Sequence, residues 1–339
     1  MSTNTTVRLA RRPEGEPSDD IWEIVDEPVP EAGPGRFVVR VQCVSIDPAM
    51  RGWLDDVPSY LPPVRIGDVM RALTVGEVVE SQHSRFPVGT IVQGTFGVQD
   101  YAVSDGREVT IVDPALGTAS MYLGVLGSTG LTAYYGLLQH GRPRAGDTVV
   151  VSAAAGGVGS IVGQLARISG CRVVGIAGGP EKCRYLVDTL GFDAAVDYRQ
   201  AGLRRNLAES CPSGIDVYFD NVGGQILDSA LSLLAMHARV VVCGAIAQYN
   251  ATERQPGPSN YLSLLVRRAS MSGFLYFDHA VDFPVARRRL AAWVSDGSII
   301  APETIATGTV KDFPATLRRL FSGDNLGKLV LDIADRSSA

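Results

Sequence analysis

At 339 residues with 45% hydrophobic content, the chain can supply more than one core, because single cores stop growing at about 250 to 300 residues. A net charge of -5, with no basic block anywhere, argues against nucleic acid as the principal partner. The polar start, Met1 to Glu16, lacks the apolar core of a signal peptide and no later run has the length of a membrane span, so the expectation is a cytoplasmic protein with no membrane partner.

The first third reads as mostly β. Phe37 to Ile46, Arg71 to Glu80 and Thr90 to Val103 alternate or run in β-branched residues, broken by turns such as Glu31-Ala-Gly-Pro-Gly35. A helical rhythm takes over at Thr118 to Leu138. Predicted strands then alternate with helices: strands at Thr148 to Ser152, Arg172 to Ala177, Ala194 to Asp197, Ile215 to Asp220 and Arg239 to Cys243, helices at Gly157 to Ser169, Glu181 to Leu190 and Gln225 to Ala235. That alternation specifies an α/β fold with a doubly wound parallel sheet. Helix patterns at Val281 to Ser295 and Phe313 to Phe321 and a strand at Lys328 to Ile333 close the chain. Cys43, Cys171, Cys183, Cys211 and Cys243 form no Cys-x-x-Cys pair, and His83, His140, His237 and His279 lack close ligand company, so no metal site is expected.

Asp147 to Leu165 is the segment richest in chemistry. The strand Thr148 to Ser152 leads into Gly156, Gly157, Val158 and Gly159 at a helix start, where bare backbone N–H groups and the positive helix end suit a pyrophosphate. Ala154 stands where such turns usually carry their first glycine. A dinucleotide fold that selects NAD places an acid at the tip of the second strand; here that place holds Gly178, with Lys182 one turn later. The missing acid favours NADP. Two roles are open to Lys182, a 2′-phosphate partner or a solvated helix lysine, and two to Tyr198, a phosphate-facing hydroxyl or a half-buried aromatic. Asn221, in Asp220-Asn-Val-Gly-Gly224, follows a strand end on the ligand side, though Asx before glycine also forms ordinary turns. The loop Cys243-Gly244-Ala245-Ile246-Ala-Gln-Tyr249 follows another.

These segments together resemble the medium-chain dehydrogenase/reductase superfamily, and within it the zinc-independent leukotriene B4 dehydrogenase/prostaglandin reductase/alkenal reductase branch. The carriers are Ser45-Ile-Asp-Pro-Ala-Met-Arg-Gly52, Gly130-Leu-Thr-Ala-Tyr134, Ala153-Ala-Ala-Gly-Gly-Val-Gly159, Asp220-Asn-Val-Gly-Gly224, Cys243-Gly-Ala-Ile-Ala-Gln-Tyr-Asn250, Gly257-Pro-Ser-Asn-Tyr261 and Gly323-Asp-Asn-Leu-Gly-Lys328. The resemblance implies a GroES-like β domain over 1–127 and 301–339 around an inserted Rossmann domain over 128–300, with the active site in the cleft between them. It implies a cofactor site of Gly156 to Gly159, Lys182, Tyr198, Asn221, Cys243, Gly244, Ala245, Ile246, Tyr249, Phe274, Leu275, Tyr276 and Asn325, a substrate side of Ala49, Arg51, Ser128 and Tyr261, and a homodimer. Read alone, Asn325 between Asp324 and Leu326-Gly327 is a turn residue. The family's Asp-Pro-Tyr-Met-Arg is here Asp47-Pro48-Ala49-Met50-Arg51, and its Met-Pro is Ser128-Thr129, so the substrate pocket departs from the pattern.

The activity implied is NADPH-dependent reduction of the carbon–carbon double bond of an enone or alkenal, with Tyr249 and the nicotinamide ribose hydroxyl steadying the oxyanion. Tyr249 packing against the cofactor remains the other role for that side chain. Quinone reduction and non-catalytic NADPH binding are the competing functions.

Overall fold

The computed structural model describes residues 3–253 and 255–333; Met1 and Ser2 of the polar start and the last six positions of the closing range lie outside them. The chain divides into two compact units. One runs from the chain start to Gly124 and adds Glu303–Asn325 and the segment from Leu329 onward; the other is Val125–Pro302 with Leu326–Lys328.

The first unit opens with β1 (Thr3–Leu9) and β2 (Trp22–Pro28), an antiparallel pair in which Thr3 faces Pro28 and Leu9 faces Trp22. β3 (Phe37–Ile46), a short helix α1 (Ala49–Gly52), β4 (Thr74–Ser81), β5 (Ile91–Gly94), β6 (Tyr101–Ser104) and β7 (Thr110–Ile111) follow. The run expected as one strand over Thr90 to Val103 is two, because the chain turns between Gly94 and Tyr101 with Gly97 at φ +77°. β3 is the spine of the sheet, paired antiparallel with β4 and β6, and its Phe37, Val39, Val41, Val44 and Ile46 enter a core with Phe86, Met50 and Leu54.

In the second unit α2 (Ser128–Tyr135) passes directly into a π turn, Gly136–Gly141; the expected helix from Thr118 is interrupted because the extended Gly127 resets the backbone. The alternation then reads β8 (Thr148–Ser152), α3 (Gly157–Ile168), β9 (Arg172–Ala177), α4 (Pro180–Arg184) with a π turn Tyr185–Thr189, β10 (Ala194–Asp197), α5 (Leu203–Ser210), β11 (Ile215–Asp220), α6 (Gly224–Leu231) and β12 (Leu234–Val242). The helix expected to reach Ala235 stops four residues short, and the strand expected from Arg239 begins at Leu234, because Leu234 pairs with Ile215. After them come α7 (Ile246–Tyr249), α8 (Ser263–Arg267), β13 (Ser270–Gly273) and α9 (Phe283–Ser295). The strands stand in the order β10-β9-β8-β11-β12-β13, every neighbouring pair parallel. β8 is wholly buried, as expected of a strand covered on both faces, and α3 turns Ile161, Val162, Leu165 and Ala166 inward. Burying each large aliphatic contributes about 1.5–3 kcal/mol.

The chain then returns to the first unit through β14 (Glu303–Gly308), α10 (Phe313–Ser322) and β15 (Lys328–Ile333), whose Leu329 to Asp332 pair with β3. The fold is therefore a doubly wound parallel sheet in one unit and, in the other, a mostly-β arrangement of a two-stranded sheet, β1 and β2, and a seven-stranded sheet that β14 and β15 join. Among the described residues no helix is long and apolar enough to cross a membrane.

Candidate nucleotide and active site

All six strands of the parallel sheet end on one edge, and each hands on a segment marked in the sequence. Gly156 follows β8, Lys182 follows β9, Tyr198 follows β10, Asn221 follows β11, Cys243 to Tyr249 follow β12, and Phe274 to Tyr276 follow β13. The chain order reverses between β8 and β11. Ligands of open α/β sheets bind outside the carboxyl ends of the strands at such a reversal.

At the end of β8 the backbone turns sharply: Ala153 is left-handed at φ +47°, and its carbonyl accepts the Gly156 N–H at 3.0 Å. Gly156 caps α3 in an extended conformation, and the first turn of the helix carries no acid. The N–H groups of a first turn have no intrahelical acceptor, so Val158 and Gly159 present donors at the positive end of a twelve-residue helix, while Gly156 is bridged in parallel to Gly327, whose N–H donates to the Ala155 carbonyl at 2.8 Å. A Cβ on Gly159 would stand 2.8 Å from the Ala154 Cα, which explains why only glycine serves there.

Lys182 lies half-buried on α4, behind Gly179 at φ +91° and Pro180. Tyr198 is 44% exposed and donates its N–H to the Ala177 carbonyl at 3.1 Å, so it stands directly beside the tip of β9. The structure thus brings Gly178, Lys182 and Tyr198 to one corner of the sheet.

The reversal point is tied by a buried carboxyl. Asp220, 1% exposed, accepts from Ser152 Oγ (3.0 Å), Tyr218 Oη (2.9 Å) and the Val222 and Gly223 N–H groups (both 3.0 Å). Its backbone carbonyl accepts from Cys243 N (2.8 Å) and Gly244 N (3.1 Å). Asn221 donates its N–H to Ser152 Oγ at 2.8 Å and its Nδ2 to the Ser152 carbonyl at 2.7 Å, while its own carbonyl accepts from Ile246 N at 3.2 Å. The ends of β8, β11 and β12 are consequently one hydrogen-bonded platform. Burial, reinforced by Asp220, pushes the Cys243 thiol up to about 12, which keeps it protonated and removes it as a nucleophile. Burial next to Asp220 likewise raises Tyr218 well above the ordinary phenol value.

Tyr249 closes the segment after β12. Its Oη accepts the Ala245 N–H at 3.2 Å and sits against Gly244. Phe274 is turned into packing, stacked on His140 at 5.0 Å and edge-on to Phe219 at 6.2 Å, and Tyr276 stacks on Phe283 at 5.7 Å. Leu275 accepts the Asp278 N–H through its carbonyl. Ser128 opens α2, half-buried. Tyr261 is 60% exposed just ahead of α8, in a loop clipped to α6 where Asp228 accepts from Ser259 N and Oγ, both at 2.9 Å.

Three marked residues belong to the first unit. Ala49 begins α1, half-buried, and Asn325 is 7% exposed after α10. Arg51 is 3% exposed, with its guanidinium on the Gly15 carbonyl (2.9 Å) and Asp55 (2.7 Å), an internal strap that holds the loop after α1. Sequence reading passes over Ser152 and the role of Asp220. Ser152 is disguised as the last residue of an apolar run, whereas Asp220 was visible as an acid ending a buried strand.

A family model described as the N-terminal domain of oxidoreductase matches residues 5–112, and one described as zinc-binding dehydrogenase matches residues 157–292. The NADPH-dependent curcumin reductase of Escherichia coli (strain K12) is 42% identical over 331 residues, 96% of each chain. The 2-alkenal reductase (NADP(+)-dependent) of Nicotiana tabacum is 36% identical over 340 residues, 98% of each chain. This chain belongs to the medium-chain dehydrogenase/reductase superfamily, in its zinc-independent prostaglandin reductase/alkenal reductase branch. Within that superfamily the crystal structure of CurA from Vibrio vulnificus in complex with NADPH has a TM-score of 0.92 and 41% identity, covering 98% of this chain and 99% of that one. Although one matching model is described as zinc-binding, no group of three or more His, Cys, Asp or Glu side chains among the described residues could hold a metal ion.

Proposed function

We propose that this chain reduces the carbon–carbon double bond of an α,β-unsaturated ketone or aldehyde with NADPH as reductant. It is an NADP-dependent oxidoreductase of its branch, and two of its relatives are named for curcumin and for 2-alkenals, compounds that share a double bond conjugated to a carbonyl. The observation that carries the reading is Tyr249. Its hydroxyl, which accepts the Ala245 N–H, lies in the segment that follows β12 at the carboxyl edge of the parallel sheet, and a phenol can donate as well as accept.

When bound, the reduced nicotinamide supplies hydride to the β-carbon of the substrate. Tyr249 then donates to the carbonyl oxygen, where charge gathers, and the α-carbon takes a proton. The platform of Ser152, Asp220 and Asn221 holds the backbone of the Tyr249 segment still, so the donor needs no reorganisation as charge develops. Gly156 to Gly159 hold the pyrophosphate, Lys182 and Tyr198 the 2′-phosphate, and Asn221, Cys243 to Ile246 and Phe274 to Tyr276 the rest of the cofactor. Ser128 and Tyr261 shape the substrate side.

The working form is a homodimer. β13 is the last strand on its side of the parallel sheet, and Leu262, Leu265, Val266 and Val281 nearby in sequence are 59%, 75%, 64% and 93% exposed. An open strand edge flanked by apolar side chains is a pairing surface.

The test is spectrophotometric. NADPH oxidation is followed with 2-alkenals, 2-alkenones, curcumin and quinones, and the products are identified by mass and NMR. The expected product is the saturated carbonyl. An allylic alcohol, turnover of quinones alone, or no oxidation with any conjugated carbonyl would overturn the proposal.

A further inference from the structure

The corner formed by β9 and β10 contains a cation that the sequence did not single out. Ala177 pairs with Asp197 across these strands, so the next residues on each side, Gly178 and Tyr198-Arg199, face one another beyond the sheet. A Cβ on Gly178 would stand 2.9 Å from Cε1 of Tyr198 and 3.0 Å from Nε of Arg199, and one on Gly179 would lie 3.9 Å from Nη1 of Arg199. The guanidinium therefore lies across the glycine at the strand tip. That is the place where an NAD-selective fold carries its ribose-binding acid.

The same corner is locked from below. One oxygen of Asp197 accepts the Gly179 N–H at 2.8 Å and the Arg199 N–H at 3.0 Å. The carboxyl at this strand end is thus engaged as a clip between the two loops, and it fixes the backbone from which Arg199 projects. The Arg199 guanidinium carbon is 6.0 Å from the centre of the Tyr198 ring, so the phenol flanks the cation and limits its sweep.

We propose that Arg199 is a second cation for the 2′-phosphate of NADPH and a determinant of the preference for NADPH over NADH, acting with Lys182. A phosphate monoester carries about -1.5 to -2 charge at neutral pH, more than one ammonium balances. Arginine brings a planar fork that engages two phosphate oxygens together, whereas lysine acts as a point charge. The lack of a side chain at Gly178 has a reason on this view: it leaves the room that the guanidinium crosses. The proposal rests on the NADP reading of the cofactor and names the residue that discriminates within it.

The experiment measures binding, independent of turnover. Calorimetric titrations with NADPH, NADH, 2′,5′-ADP and 5′-AMP are run on the wild-type protein, Arg199→Gln and Arg199→Lys. Loss of charge-assisted hydrogen bonds predicts that Arg199→Gln weakens NADPH and 2′,5′-ADP by about tenfold to a hundredfold while NADH and 5′-AMP change little, with Arg199→Lys in between. Equal losses for phosphorylated and unphosphorylated nucleotides, or no loss for either, would overturn the role of Arg199. Wild-type protein that binds NADPH no better than NADH would instead defeat the cofactor reading itself, and the role of Arg199 with it. Circular dichroism of each variant separates lost binding from lost folding.

Discussion

The proposed function asks different things of Tyr249 and Lys182, of one a hydrogen bond that strengthens as charge develops and of the other a charge that attracts cofactor before any chemistry. Tyr249→Phe keeps the ring and removes the oxygen that lies against Gly244 and accepts the Ala245 N–H. Loss of one preorganised oxyanion donor costs about 2.7–4 kcal/mol, so kcat with an enone should fall about a hundredfold to a thousandfold while the NADPH dissociation constant, read by titration, stays unchanged. Unaltered kcat would return Tyr249 to a packing role. Lys182→Ala should weaken NADPH by about tenfold more than NADH, a difference that salt diminishes; parallel losses would place the ammonium elsewhere. His140 gives a pH signature. Burial, helped by His279 and Arg142 and opposed by Asp278, lowers its pKa, so the fold favours the neutral imidazole. As pH falls below about 6.5 the unfolded chain takes up this proton first, and stability declines until the folded value is passed. Urea midpoints measured from about pH 7 down to about pH 5 should fall, and His140→Phe, which preserves a ring over Phe274, should flatten that slope. An identical slope in the variant would assign the pH dependence to other groups.

At the level of elements, the platform joining the ends of β8, β11 and β12 depends on Asp220. Asp220→Ala leaves Ser152, Tyr218 and two backbone N–H groups without their shared acceptor, and each buried donor left unmade costs about 1–3 kcal/mol. Destabilisation of at least about 3 kcal/mol in urea is expected, with Asp220→Asn milder because one carbonyl oxygen remains. A loss below about 1 kcal/mol would mean that water replaces the carboxyl without cost. The four strands β8 to β11 were legible to the residue because each is a short, mostly apolar run bounded by turn-forming or polar residues. Where helix and strand patterns overlap they were not: Leu231 to Leu234 continues the apolar rhythm of α6, and only pairing with Ile215 shows that the strand has begun, five residues before Arg239. β1 was hidden for another reason. Asn4 and Thr5 look like surface residues, yet both are buried, with the Thr5 N–H on Asp100 and the Asn4 side chain accepting the Tyr101 N–H. Arg199 escaped notice because an exposed arginine after a strand has no pattern; its position over Gly178 exists only once β9 and β10 are paired.

For the molecule as a whole, the open edge at β13 is the feature with the largest consequence. α8 turns Leu264 inward against the core of the second unit but leaves Leu265 and Val266 at 75% and 64% exposure, immediately before a strand whose outer edge faces no further strand of the sheet among the described residues. Single exposed aliphatics are ordinary on a protein surface; a cluster beside an unpaired strand is a liability unless another chain covers it. A second copy does so economically, because a strand edge related to itself by a twofold axis pairs antiparallel with its own image and brings both apolar helices to the same seam. Sedimentation equilibrium should therefore give twice the 36.1 kDa chain mass at micromolar concentration. Leu265→Asp with Val266→Asp places like charges on both sides of that seam, and the mass should fall to that of one chain while far-ultraviolet circular dichroism is retained. Wild-type protein that sediments as a single chain over this range would show that the edge is tolerated uncovered. If the double variant stays dimeric, the contact lies on another face.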